Sequence, residues 1–75
     1  MKLIYDPNDD ILRIRFNNFP IERTLQDGDG TTFDFDVNNR LVAIEMARAS
    51  QMVGNPCVVE VGDHTRTFSL TDPAS

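Results

Sequence analysis

The chain has 75 residues and a net charge of −5, from twelve acidic and seven basic side chains. A chain this short forms one small domain, residues 1–75, with a thin core, so we expect it to gain stability as a homodimer. The negative charge argues against nucleic acid or an anionic membrane as the main partner and favours a basic protein.

The single cysteine allows no internal disulfide, which suits a reducing compartment. The apolar run after Lys2 extends only from Leu3 to Tyr5, too short for a signal peptide, and no segment has the length of a membrane span. We therefore expect a cytoplasmic protein with no membrane segment.

Two stretches of alternating apolar and polar residues, 1–5 and 11–16, flank a cluster of turn formers at 6–10 and predict a first hairpin. In its second strand, Arg13 and Arg15 lie on the face away from Leu12 and Ile14. Residues 21–25 alternate again and predict a weaker third strand. Residues 27–30, Asp-Gly-Asp-Gly, predict a flexible turn.

The clearest predicted element is a central hairpin over residues 31–50, where two alternating runs flank Asn38 and Asn39. Both asparagines tolerate positive φ, so we predict a type I′ turn at this pair. The resulting register places Phe35 opposite Val42. It also gives the hairpin one apolar and one acidic face.

The acidic face of this hairpin carries Asp34, Asp36 and Glu45. If the strand with Arg13 and Arg15 joins the same sheet, the arginines share this face, and we expect cross-strand ion pairs.

After Glu45 the sequence loses β-branched residues and gains alanine, which predicts a short helix near residues 46–53. Residues 57–61 and 66–70 predict a last hairpin around a four-residue loop, with Cys57 opposite Leu70. Residues 71–75 predict a polar tail that frays. The predicted fold class is mainly β, or α+β if the helix counts: a small antiparallel sheet of hairpins with one short helix.

A family resemblance rests on several of these positions: Tyr5-Asp6, Asp10, Leu12, Ile14, and the run DFDVNNRLVAIEMARAS over residues 34–50. Over about residues 1–50 they resemble a small prokaryotic family catalogued as domain of unknown function 2283. Its members commonly have Asp-Gly where this chain has Asn38-Asn39. The resemblance implies a compact, mainly β protein. Since some members are encoded beside small toxin-like proteins, it also implies an antitoxin-like or accessory subunit that binds a basic protein.

The acids of the central hairpin match ligand positions of an EF-hand calcium loop, from Asp34 at position 1 to Glu45 at position 12. An EF-hand needs a helix on each side, and residues 24–33 contain two glycines and three threonines. We therefore favour a structural hairpin and predict no cofactor. A small metal- or ligand-binding domain that uses Asp34, Asp36 and Glu45 remains the alternative function.

Cys57 and His64 are the only thiol and the only imidazole. Cys57 is in phase with Val59 and Val61, which predicts a buried, inert thiol. We predict no catalytic residue and therefore a protein that is not an enzyme.

Phe19 lies between Asn18 and Pro20, where the alternating pattern breaks. It is a candidate interface anchor, together with Asp34 and Asp36, and local loop packing is the alternative interpretation.

Overall fold

The computed structural model describes residues 1–70, and the tail predicted for residues 71–75 lies outside them. The described chain is mainly β, as predicted, with antiparallel strands and one short helix. The strands are β1 (Lys2–Asp6), β2 (Ile11–Arg15), β3 (Arg23–Gln26), β4 (Thr31–Phe35), β5 (Leu41–Met46), β6 (Cys57–Val61) and β7 (His64–Phe68), and the helix is α1 (Ala49–Met52). No helix within residues 1–70 is long and apolar enough to cross a membrane.

The first five strands form one antiparallel sheet in the order β1-β2-β5-β4-β3, and β6 and β7 form a separate two-stranded sheet. β3, β4 and β5 follow one another as hairpins, whereas residues 16–22 connect β2 to β3 across the ends of β5 and β4. Within this connection, Asn17 Nδ2 donates to Leu41 O at 3.1 Å, and Glu22 N–H donates to Phe35 O at 2.8 Å. The arrangement is a Greek key, and it leaves β1 and β3 as the edge strands.

Apolar packing is concentrated on the β1–β2 half of one sheet face. Leu12 is fully buried there and packs with other buried apolar side chains, which are Leu3, Ile14, Ala49, Cys57 and Leu70. Because Cys57 and Leu70 belong to the last part of the chain, the β6–β7 hairpin covers this half of the face.

The central hairpin has the predicted pairing in its outer part, where the opposite pairs are Thr32–Glu45, Phe33–Ile44 and Asp34–Ala43. Nearer the turn the predicted register was wrong. The register shifts between Asp34 and Phe35, and Phe35 pairs with Leu41 instead of Val42.

The turn of this hairpin is a three-residue loop, residues 37–39, rather than a type I′ pair. Asn39 N–H donates to Asp36 O at 3.1 Å, and of the two asparagines only Asn39 has a positive φ, 63°. This is a type I turn followed by a left-handed residue. Asp36 favours it, because its Oδ1 accepts from Asn38 N–H and Arg40 N–H, both at 2.9 Å.

Helix α1 is shorter than predicted, because β5 continues to Met46. Both neighbouring strands pair with Met46, through Leu12 and Thr31. Arg48 then turns the chain with φ 52°, and Ala49 N–H donates to the Asp10 carbonyl at 2.9 Å.

The β6–β7 hairpin is present, but its predicted register was wrong by two residues. Its loop has two residues, Gly62 and Asp63, so Cys57 pairs with Phe68 and His64 begins β7. Gly62 has φ 58°, which suits glycine. A shift of two residues keeps every side chain on its face, so Cys57 is still buried.

Candidate functional site

Edge strand β3 presents unpaired backbone groups. It pairs with β4 on one side and with no strand of residues 1–70 on the other. Asp27 N–H donates to Thr31 O at 2.7 Å, and hydrogen-bonded residues alternate along an antiparallel ladder. The odd-numbered residues of β3 therefore bond to β4, while Thr24 and Gln26 point their N–H and C=O groups outward.

The apolar surface beside β3 is only partly covered. Leu25 is 49% exposed and stands opposite Phe33, which stands opposite Ile44 on β5. With Phe35, also half-buried, these side chains form a surface that we call the open face: Leu25, Phe33, Phe35 and Ile44. None of them belongs to the buried cluster under β6 and β7. Ile21, just before β3, has a side chain that is 45% exposed.

Arg23 lies over one end of the open face. Its guanidinium carbon is 4.6 Å from the centroid of the Phe35 ring, and its Nε donates to Asn39 Oδ1 at 3.2 Å. This cation–π contact holds the positive charge against the face and away from the free edge.

Carboxylates flank both ends of β3. Glu22 precedes the strand, and Asp27 and Asp29 follow it, all three exposed. Residues 22–29 therefore carry three acids against one base, Arg23, a net charge of −2. Arg48 Nη2 also donates to the Asp29 carbonyl at 2.9 Å, so three acids and two bases lie around β3.

The predicted acidic side chains are engaged separately. Arg13 Nη2 donates to Glu45 Oε1 at 2.6 Å, one of the cross-strand ion pairs expected from the sequence. The pair expected for Arg15 was wrong, because its guanidinium donates to the carbonyls of Asn17 and Phe19 instead. Thr24 Oγ1 donates to Asp34 Oδ1 at 2.7 Å. Asp36 bonds to Arg40 at the hairpin turn. No group of three His, Cys, Asp or Glu side chains within residues 1–70 could hold a metal ion.

Asp36 is buried, with 3% of its surface exposed. Its Oδ2 accepts from Arg40 Nε at 2.7 Å, in addition to the backbone bonds at Oδ1. Burial opposes ionisation, but the backbone and side chain of Arg40 and the N–H of Asn38 together hold the pKa of Asp36 below its ordinary value of 3.8. The carboxylate is therefore committed to the turn.

Phe19 is 40% exposed and lies beneath Arg40, whose guanidinium carbon is 4.0 Å from the ring centroid. Its carbonyl accepts from Arg15 Nη2 at 3.2 Å. Phe19 lines a cavity of about 270 Å³ together with Pro20, Glu22, Asp36, Val37 and Arg40. The ring therefore packs locally and keeps an exposed side, and its use as an interface anchor stays a prediction.

A polar network at the other end of the sheet was not singled out as a site by the sequence. The Asp10 carboxylate accepts from Tyr5 Oη at 2.7 Å and from Ser50 through its Oγ at 2.6 Å and its N–H at 3.0 Å. Tyr5, Asp10 and Ser50 are all among the positions that carry the family resemblance. No other feature of the sequence groups them. They join β1, the first turn and α1, which is a structural role.

Cys57 and His64 lie at opposite ends of the last hairpin. His64 pairs with Val61, four residues along β6 from Cys57, a separation of roughly 13 Å at the usual rise per residue. Cys57 is buried and His64 is exposed. The structure therefore does not bring them together.

The model of the family described as protein of unknown function (DUF2283) matches residues 2–50. The chain belongs to this family. The DUF2283 region spans β1 to β5 and the start of α1, so the open face and the β3 edge lie within it. The β6–β7 hairpin, which covers the other half of the face, lies outside it. No curated protein and no solved structure matches the chain.

Proposed function

We propose that this DUF2283 protein is a non-enzymatic interaction module that binds a basic protein partner along β3. The observation that carries this proposal is the free edge of β3 beside the half-exposed open face. An edge strand with unpaired N–H and C=O groups is a template for one more strand. The partner therefore contributes an extended segment that pairs with Thr24 and Gln26.

Side-chain chemistry defines that segment further. A strand added beside β3 presents alternate side chains to the two sheet faces. Those on the side of Leu25 extend the open face and are apolar. Those on the side of Thr24 and Gln26 meet a polar surface.

The charges around β3 favour a basic segment. Glu22, Asp27 and Asp29 are exposed at its two ends, and Arg23 is held against Phe35. Opposite charges speed association and select the partner, and salt screens them. This suits an antitoxin-like or accessory subunit, which acts by covering a basic protein.

A synthetic peptide in which lysine alternates with valine tests the proposal, with backbone amide NMR shifts as the readout. We expect saturable changes centred on Thr24 and Gln26. A peptide with glutamate in place of lysine is the charge control, and we expect it to bind at least about tenfold more weakly, since about 1.4 kcal/mol is tenfold in affinity.

Substitutions at Gln26 separate backbone pairing from other contacts. Gln26→Pro removes an outward N–H while leaving the bonds to β4, a position where edge strands tolerate proline. Gln26→Ala removes the same side chain and keeps the N–H. We expect peptide binding to survive in Gln26→Ala and to be lost in Gln26→Pro. Equal binding of the lysine peptide and the glutamate peptide, or amide shifts confined to strands other than β3, contradicts the proposal.

A further inference from the structure

We propose that two copies of the chain associate along the other edge strand, pairing β1 with β1 of a second copy in antiparallel fashion. The two-fold axis passes through Ile4. The two five-stranded sheets then form one continuous sheet. This surface is separate from the β3 edge, so the inference goes beyond the proposed function.

Hydrogen bonding inside the sheet shows which groups of β1 are free. Phe16 N–H donates to Val42 O at 2.8 Å, so the even-numbered residues of β2 bond to β5 and the odd-numbered ones bond to β1. Their partners on β1 are the even-numbered residues. Leu3 and Tyr5 therefore point their N–H and C=O groups to the outer edge.

With the axis at Ile4, the outward N–H and C=O groups of Leu3 and Tyr5 all form hydrogen bonds. This axis sets Leu3 opposite Tyr5 of the second copy, and Tyr5 opposite Leu3, as two hydrogen-bonded pairs. The next such pair would join Met1 to Pro7 of the second copy, where proline has no N–H. The Met1 carbonyl already accepts from Arg66 Nη1 at 3.3 Å. No further hydrogen-bonded pair therefore forms beyond these two at either end of the paired strands.

Side chains on the outer face of β1 are complementary in this register. Ile4, which is 44% exposed, meets Ile4 of the second copy on the axis. Lys2 lies opposite Asp6 of the second copy, which gives two cross-strand ion pairs. Within its own chain Lys2 lies opposite Arg15, and its side-chain ammonium makes no hydrogen bond or ion pair within residues 1–70.

Moving the axis by one residue removes this match. With Leu3 or Tyr5 on the axis, Lys2 or Asp6 faces Ile4 instead of an opposite charge. The spacing of Lys2 and Asp6 about Ile4 therefore selects a single register.

Charge also separates β1 from β3 as the site of self-association. Residues 2–6 contain one lysine and one aspartate and have no net charge, whereas residues 22–29 carry −2. Two copies paired along β3 would bring like charges together. Since two five-residue strands form a small interface, the dimer depends on protein concentration.

Cysteine substitutions at Ile4 and at the corresponding position of β3 provide a direct test. In a non-hydrogen-bonded pair the two β-carbons are about 4.5–5.5 Å apart, close enough for a disulfide after a small adjustment. We expect Ile4→Cys to form a covalent dimer on mild oxidation. Leu25→Cys, at the corresponding place on β3, is the matched control. The unmodified chain, whose only cysteine is the buried Cys57, is the background.

Charge reversal tests the register without oxidation. Lys2→Asp and Asp6→Lys each create two like-charged pairs, and we expect each to raise the dimer dissociation constant about tenfold or more in sedimentation at low salt. The double variant restores opposite charges and recovers dimerisation, even though Asp6→Lys removes the bonds that Asp6 Oδ1 accepts from the N–H groups of Asn8 and Asp9 in the first turn. A covalent dimer of Leu25→Cys but not of Ile4→Cys, a double variant no better than the single ones, or a monomeric unmodified chain at millimolar concentration overturns the proposal.

Discussion

The hydroxyl of Tyr5 donates a 2.7 Å hydrogen bond to Oδ1 of Asp10, joining β1 to the end of the turn that follows it. Asp10 has a positive φ of 55° and also accepts both hydrogen bonds from Ser50, 40 residues away. One carboxylate therefore ties α1 to the first hairpin. The pKa of Asp10 lies below its ordinary value of 3.8, because the Ser50 and Tyr5 hydroxyls stabilise its charged form.

Tyr5 reports on this network directly, because the chain has one tyrosine and no tryptophan. The bond to Asp10 raises the pKa of Tyr5 above its ordinary value of 10.0, with burial and the nearby negative charges acting in the same direction. We expect the tyrosinate absorbance to rise with a midpoint above 10.0. In Asp10→Asn the midpoint should move back towards 10.0. Identical midpoints in the two proteins would show that the bond does not form in solution.

Stability should fall at acid pH, because Asp10 and Asp36 both have folded-state pKa values below 3.8. A carboxyl with a lowered folded pKa stabilises the fold above its unfolded pKa, and this stability is lost as pH falls through the folded value. We expect the free energy of unfolding to drop below about pH 3.8. Asp10→Asn should be less stable at neutral pH and depend less steeply on pH in this range. A parallel pH profile for the variant would contradict this assignment.

Substitutions of Asp36 separate its two roles in the central hairpin. Asp36→Asn keeps an oxygen that accepts from the N–H groups of Asn38 and Arg40, whereas Asp36→Ala leaves those groups without it. We expect a clear fall in melting temperature for Asp36→Ala and a smaller one for Asp36→Asn. If Asp36→Asn is as unstable as Asp36→Ala, the ion pair with Arg40, and not the backbone bonding, holds the turn.

Leu12 should be the costliest apolar side chain to truncate, because it is fully buried between β1 and β5. We expect Leu12→Ala to lower the free energy of unfolding by about 2–5 kcal/mol in chemical denaturation. Val58→Ala is the matched control, since Val58 is 56% exposed, and it should change stability by less than about 0.5 kcal/mol. Similar losses for both variants would mean that the β1–β2 half does not form the core.

Alternation of residue types was sufficient to predict most of the strands, because side chains in a strand face opposite sides in turn. It placed Arg13 and Glu45 on one face, and the structure joins them at 2.6 Å. The same alternation placed Cys57 in the core, even though the residue predicted to pair with it across the hairpin was wrong. An error of two residues in loop length therefore changes the pairing of the strands, but each side chain stays on its predicted face of the sheet.

Details that depend on loop closure could not be predicted from alternation. Asp36 was assigned to the acidic face of the hairpin, yet in the three-residue loop its carboxylate is buried and accepts from the N–H of Arg40. The choice between this loop and a type I′ pair depends on bonds that Asp36 makes only after the turn has closed. Strand order posed the same difficulty, so the sequence predicted β3 as a weak strand without indicating that it is an edge.

The claim that β3 binds a basic partner is tested most directly by purifying the tagged full-length chain at low salt from the cell that naturally contains it. We expect the unmodified chain and Gln26→Ala to retain the same basic protein, which moderate salt releases, and Gln26→Pro to retain none of it. A chain that elutes alone at low salt, or a Gln26→Pro variant that keeps the partner, would contradict the account.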